Sequence, residues 1–227
     1  IMNLGKKYIL LMDHIHKDSI KKFRNIFHLI NEKDLKVKHY KFIQAVVLDI
    51  RKINFSYFDK FKNLKLIARF GVGYDNVDLD YLNKKKLSLA ITNKSVINPV
   101  AEHTISLIFS ILKKIKKFDN FSRKEFWKKK KIDYRPNDLY KKKVLIIGYG
   151  NIGKRVAKFL SVYNCEIKIY DPYVKSSKYK SQRNLKKALQ HSDIVSLHLP
   201  FSKKTHKFFN KKLFDCMQPN SIFINTQ

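Results

Sequence analysis

Lys143-Val144-Leu145-Ile146-Ile147-Gly148-Tyr149-Gly150-Asn151-Ile152-Gly153 is the stretch from which the fold is read. Its first five residues make a short apolar run suited to a buried strand. After the glycines, Ile152, Val156, Phe159 and Leu160 recur at helical spacing. A second apolar run, Glu166 to Tyr170, ends at Asp171, eighteen residues beyond Gly153. Strand, glycine turn, helix, strand and acid in that order make a βαβ dinucleotide-binding unit. The glycines permit a tight turn, close passage of a pyrophosphate and close packing of helix on strand. The helix from Asn151 aims unpaired N–H groups and a partial positive charge at that pyrophosphate. Asp171 is placed to accept hydrogen bonds from the adenosine ribose. Its charge opposes a 2′-phosphate, so NAD is expected rather than NADP. Pro172 follows it, which leaves a turn-forming role for Asp171 open as well.

Glycine is scarce, which sharpens the signal. Five of the six glycines lie in this cluster or in Gly71-Val72-Gly73. Glycine serves where the backbone takes positive φ or meets a ligand closely. Outward from the fingerprint, the N-terminal part alternates strand and helix: strands at 8–12, 45–50, 66–70 and 87–91, helices at 17–30, 58–64 and 79–85. The C-terminal part shows strands at 144–148, 166–171, 194–199 and 221–226, with helices at 151–161, 184–191 and 206–217. Such alternation predicts parallel sheets with helices on their faces. A long helix is expected from Pro99 to Lys117, with Val100, Thr104, Leu107, Ile108, Ile111 and Ile115 in one stripe. Residues 118–142, including Trp127 and the Lys128 to Lys131 run, read as an irregular surface connection.

Composition bounds the function class. The 227 residues carry 49 Lys+Arg against 18 Asp+Glu, a net charge of +31. Such a balance points toward polyanions. However, lysine dominates over the seven arginines, is spread along the whole chain, and accompanies the Asn, Ile, Phe and Tyr that AT-rich codons favour. Arginine is the usual reader of bases, so salt-dependent, non-specific nucleic-acid contact is expected and specific recognition is not. Cys165 and Cys216, lone cysteines on apolar flanks, are expected to be buried thiols in a reducing compartment and not a disulfide framework. The longest apolar run, Ile105 to Leu112, is broken by Ser106 and Ser110 and is too short to span a bilayer. A cytoplasmic protein without membrane contact is expected.

These segments together resemble the D-isomer-specific 2-hydroxyacid dehydrogenase family, which includes phosphoglycerate dehydrogenase. The resemblance runs through Asn63 to Asp78, with the glycine loop. It continues through Pro99-Val100-Ala101-Glu102-His103-Thr104, Val144 to Gly153 and Tyr170-Asp171-Pro172-Tyr173. Ser192 to Pro200 and Ile222-Phe223-Ile224-Asn225-Thr226 complete it. It implies an α/β protein with a Rossmann-type cofactor domain at 99–227, entered by the helix 99–117, and a smaller flavodoxin-like substrate domain at 1–98. It implies NAD as cofactor, hydride transfer to or from C2 of a small 2-hydroxy or 2-keto acid, and a homodimer. Backbone N–H groups near Val72 and Gly73 are then expected to hold the substrate carboxylate. Gly148, Gly150, Asn151, Ile152 and Gly153 face the pyrophosphate, Asp171 the ribose, and His198, Leu199 and Pro200 the adenosine. Thr226 approaches the nicotinamide side. A plain strand-to-helix turn at Gly71–Gly73, and a structural strand-end role for His198, stay open on the residues alone.

The resemblance also implies an Arg in an Asn-Thr-x-Arg-Gly run, then a Glu and a His. The sequence begins with Ile1 and ends Asn225-Thr226-Gln227. A fragment or decayed gene product without turnover is therefore expected. None of the eight histidines is placed to substitute; Glu102 and His103, adjacent on a helix, do not face each other. A non-catalytic NAD(H)-binding protein is the main alternative, and a nucleic-acid-binding protein a weaker one. Arg51, after a strand, is a candidate substrate contact or a solvated charge.

Overall fold

The computed structural model describes residues 6–123, 135–174, 176–202 and 204–226. The chain divides into two compact units, Ile1–Val96 and Ile97–Gln227, each built on its own five-stranded parallel sheet.

The first unit contains strands β1 (Tyr8–Leu11), β2 (His28–Asn31), β3 (Ile43–Leu48), β4 (Leu66–Arg69) and β5 (Ser88–Ile91). Their order is β2-β1-β3-β4-β5 and every pairing is parallel. That is the flavodoxin-like order, with a switch point between β1 and β3. Leu10, Ile43, Val46, Leu48 and Ile67 fill the core with Phe55, Phe58 and Phe61. Burial of each such side chain stabilises by about 1.5–3 kcal/mol. Helices α1 (Lys17–Arg24) and α2 (Leu79–Lys85) flank the sheet. The Asp78 carboxylate caps α2 by accepting from the Tyr81 N–H.

The second unit contains β6 (Lys143–Ile147), β7 (Glu166–Tyr170), β8 (Lys180–Ser181), β9 (Ile194–Leu197) and β10 (Ile222–Asn225), in the order β10-β9-β6-β7-β8. All pairings are parallel, and the strands radiate from β6 in the Rossmann order. The four residues Val144 to Ile147 are almost wholly buried because helices cover both faces. Val144 and Ile146 pack with Ala101 and Ile108 of α3 (Ile97–Leu112) and with Val156 and Leu160 of α5 (Asn151–Ser161). Leu145 and Ile147 pack with Ala188 and Leu189 of α6 (Leu185–Gln190). Helices α4 (Ile115–Arg123) and α7 (Lys211–Phe214) also belong to the unit. No helix among the described residues is long and apolar enough to cross a membrane.

Several expected elements are corrected. The helix expected over 17–30 stops at Arg24, and His28–Asn31 joins the sheet beside β1. The helix expected over 58–64 is a 3-10 turn at Phe55–Lys60, started by the Asn54 side chain. The helix expected over 99–117 breaks after Leu112, where Lys114 takes φ 51°, and resumes as α4. Its buried stripe is Ala101, Thr104, Ile108 and Leu112, while Ile111 and Ile115 are exposed. Residues 118–123 are therefore helical, and Trp127 with the Lys128 to Lys131 run lies outside the described residues. The helix expected over 206–217 shrinks to α7, and β8 is an added edge strand. Cys165 and Cys216 are free and only partly buried.

Candidate functional site

The turn between β6 and α5 assigns a different task to each glycine. Gly148 has φ 88°, a left-handed conformation that an L side chain rarely adopts. A Cβ there would lie 2.6 Å from the His198 carbonyl oxygen. A Cβ on Gly153 would lie 2.1 Å from the Gly148 carbonyl oxygen, so the first turn of α5 sits directly against the strand end. Gly150 differs from both. It is the N-cap of α5, offers no side chain to the helix, and a Cβ built on it meets no heavy atom within 4 Å. The first intrahelical bond runs from the Lys154 N–H to the Gly150 carbonyl. The preceding N–H groups of Asn151, Ile152 and Gly153 take no partner among the described residues. An uncovered glycine N-cap at a helix end with unpaired N–H groups is what an anionic pyrophosphate needs. The residues present fit a dinucleotide on this ground.

The other expected cofactor residues stand at the carboxyl ends of neighbouring strands, where ligands of open α/β sheets bind. Asp171 follows β7. Its Oδ2 accepts from the Tyr149 N–H at 2.8 Å and its Oδ1 from the Tyr173 N–H at 2.9 Å. The carboxylate thus ties the glycine turn to the β7 end and shapes its own turn, while each oxygen keeps a lone pair for a ribose hydroxyl. His198 follows β9, and its N–H donates to the Ile147 carbonyl. Its Nε2 bonds the Ser196 hydroxyl at 2.8 Å, and Ser196 is fully buried. Burial holds the imidazole neutral, with its pKa pushed down to about 4. Leu199 touches the space over Gly148, and the Pro200 carbonyl accepts from the Thr205 hydroxyl. Thr226 follows β10, and its buried Oγ1 has no partner among the described residues. The ends of β10, β9, β6 and β7 are four successive positions at roughly 4.8 Å spacing, about 14 Å in all. Asp171 and Thr226 mark the two extremes, and β9 lies on the far side of β6 from Asp171.

In the first unit, Gly71, Val72 and Gly73 connect β4 toward α2, again at a carboxyl sheet end. Gly71 takes φ 133°. Its N–H donates to the Thr92 hydroxyl at 2.7 Å, and its carbonyl accepts from the Thr92 N–H at 3.0 Å. The Asn76 carboxamide donates to the carbonyls of Asp49 and Arg51, stapling the far side of the loop to the β3 end. The N–H groups of Val72 and Gly73 take no partner among the described residues, and both residues are exposed. Arg51 is engaged elsewhere: its Nη2 donates to Glu32 Oε2 at 2.7 Å, and this hydrogen bond holds its pKa above the ordinary value.

Neither Thr92 nor Asn76 is singled out as a site residue by the sequence alone. Asn76 stands inside the motif quoted for the loop, so its position was a signal; Thr92 lies after another strand and only the sheet brings it near. Among the histidines, His103 and the neighbouring Glu102 are both exposed on α3.

Comparisons with known proteins converge. Residues 105–227 match the family described as D-isomer specific 2-hydroxyacid dehydrogenase, NAD binding domain. A glyoxylate reductase of Pyrococcus furiosus is 30% identical over 183 residues, which are 77% of this chain and 54% of that protein. A D-3-phosphoglycerate dehydrogenase of Bacillus subtilis is 26% identical over 186 residues, 80% of this chain and 35% of that one. The chain thus spans about half, or less, of the length of these curated relatives. Among solved structures, a D-lactate dehydrogenase from Aquifex aeolicus complexed with NAD and lactic acid superposes with a TM-score of 0.83 at 24% identity. That match covers 97% of this chain and 68% of that one. A glyoxylate/hydroxypyruvate reductase from Sinorhizobium meliloti in complex with NADP and malonate gives 0.85 at 19% identity, covering 97% and 70%. At these identities the structures speak for the fold.

Proposed function

The chain belongs to the D-isomer-specific 2-hydroxyacid dehydrogenase family, and on that premise we propose that it binds NAD at the Gly148–Gly153 turn for hydride exchange with a small 2-hydroxy acid. The observation that carries the reading is the division of labour among the three glycines: two are packed against backbone, and the middle one, the N-cap of α5, faces open space. Bound NAD supplies the hydride acceptor. Asn151, Ile152 and Gly153 hold the pyrophosphate by backbone donors. Asp171 accepts from the ribose and disfavours a 2′-phosphate, so NAD is preferred over NADP. His198, Leu199 and Pro200 border the dinucleotide beside the glycine turn, and the Thr226 hydroxyl meets its far end. Val72 and Gly73 donate to the substrate carboxylate from a loop held by Thr92 and Asn76.

A polypeptide of these 227 residues is proposed to bind the cofactor without turning substrate over. His198 is neutral and committed to Ser196, so it is a poor general acid near neutral pH. The test is a titration of NADH and NADPH fluorescence with this polypeptide, followed by an assay for oxidation of NADH with glyoxylate, pyruvate and hydroxypyruvate. Tighter NADH than NADPH binding without turnover is expected. A folded polypeptide that binds neither nucleotide ends the cofactor reading.

A further inference from the structure

We propose that Arg69 supplies a fixed positive charge behind the Gly71–Gly73 loop and so completes an anion site for the carboxylate of a small acid. The proposal rests on the reading of Val72 and Gly73 as carboxylate donors and adds to it the charge that backbone N–H groups lack. Arg69 ends β4 on the same face as Ile67, opposite Leu48 of β3 and Ile91 of β5. The alternation of the strand therefore turns it toward the core, and it is only 9% exposed. Its Nη1 donates to the Phe70 carbonyl at 2.7 Å. Its Nε is buried without a partner, and no carboxylate lies within 4.0 Å of it among the described residues.

That is an unusual place for a guanidinium. Burial of an unpaired charge is costly, and buried charges are ordinarily matched. The more exposed Arg51 and Arg123 each hold a carboxylate, Glu32 and Asp119. Arg69, where a carboxylate matters most, has none among the described residues. The surrounding loop is built around it. A Cβ on Gly71 would fall 1.6 Å from the Arg69 Nη1, so the missing side chain at Gly71 is what lets the cation lie against the loop backbone. The loop's conformation is fixed on both flanks, by Thr92 at Gly71 and by Asn76 further on. Its two unpaired donors, Val72 and Gly73, follow directly on the Phe70–Gly71 backbone against which the Arg69 guanidinium lies. Asp75 opposes them, since its Oδ1 lies 3.1 Å from where a Gly73 Cβ would be. A bound carboxylate meets that repulsion unless a cation offsets it, and Arg69 is the cation placed to do so.

The experiment follows the Val72 and Gly73 amide resonances of the whole 15N-labelled chain during titration with oxalate, against chloride at matched ionic strength, and with the neutral diamide oxamide. Saturable shifts with oxalate and none with oxamide are expected. Arg69→Met, close in size and uncharged, should weaken oxalate binding by about tenfold or more. Arg69→Lys should recover part of the loss, and NADH binding should not change in either. Unaltered oxalate affinity in Arg69→Met removes the role of Arg69 while leaving the backbone donors intact. Equal shifts with oxamide in the unsubstituted chain do the same without any variant, should Arg69→Met not fold. If oxalate moves neither resonance in the unsubstituted chain, the carboxylate reading of the loop falls, and the proposal with it.

Discussion

Replacing Gly150 by alanine separates binding from stability, and Gly153→Ala provides the contrast. At Gly150 the backbone has φ −74° and ψ −162°, open to any residue, and the added methyl meets nothing within 4 Å. The loss of a glycine N-cap and the reduced freedom of the unfolded chain roughly cancel, so the stability change should stay within about 1 kcal/mol. The methyl nevertheless projects into the open space beside the turn, where a pyrophosphate lying against the glycine backbone would meet it. A pyrophosphate held back from two charge-assisted bonds loses about 3 kcal/mol, near 100-fold in affinity. At Gly153 the methyl falls 2.1 Å from the Gly148 oxygen, where ordinary contact begins at 3.4 Å. The start of α5 must move away from β6, an overpacking cost of roughly 1–3 kcal/mol. Thermal melts and NADH fluorescence titrations of both variants are the assay. Gly150→Ala should melt like the parent and bind poorly; Gly153→Ala should melt early. If Gly150→Ala is folded and binds NADH as tightly as the parent, the pyrophosphate does not cross this turn, which would falsify the cofactor assignment.

Asp171→Asn keeps the size of the side chain but removes its charge and leaves one fewer acceptor oxygen for the Tyr149 and Tyr173 N–H groups. NADH binding should weaken by about 10-fold and the ratio of NADH to NADPH affinity should fall; an unchanged ratio in fluorescence titration counts against a ribose contact. His198 contributes a pH-dependent term. Its pKa is about 4 when folded and 6.5 otherwise, so the unfolded chain binds more protons between those values. Stability should therefore drop as pH falls from about 6.5 to about 4, by on the order of 3 kcal/mol. His198→Asn should flatten the slope of denaturant-melt free energy across that window, and equal slopes in both proteins refute the argument.

The Rossmann half was the more legible because its signals are local. The glycines need their backbone conformations whatever surrounds them, and the span 151–161 expected for α5 matches the helix. The span 79–85 matches α2 for a similar reason: Asp78 caps it and Leu82 anchors it. Elsewhere the deciding facts were tertiary. Ile26 to Ile30 is an apolar run that continues a helical pattern, and only pairing with β1 makes His28–Asn31 a strand. The break in the long helix falls at Lys113-Lys114, where neither Gly nor Pro gives warning, and Lys114 simply adopts positive φ. Within the site, Gly150 and Asp171 could be assigned from the motif, but the Asp171 bond to the Tyr149 N–H could not. Arg69 reads in sequence as one more cation of a very basic chain. Its burial emerges only from strand alternation inside the assembled sheet.

The contact of Gly148 with the His198 carbonyl has a kinetic consequence. The glycine turn and the loop after β9 rest on each other's backbone, and Asp171 clasps the same turn from the other side through the Tyr149 amide. Three walls of the cradle are thus tied together by backbone contacts and hydrogen bonds among the described residues, and held in place before a dinucleotide enters. Capture then proceeds at a rate set by encounter and orientation. Differences in affinity among nucleotides, and among variants of this turn that keep it intact, accordingly reside in how long the ligand stays.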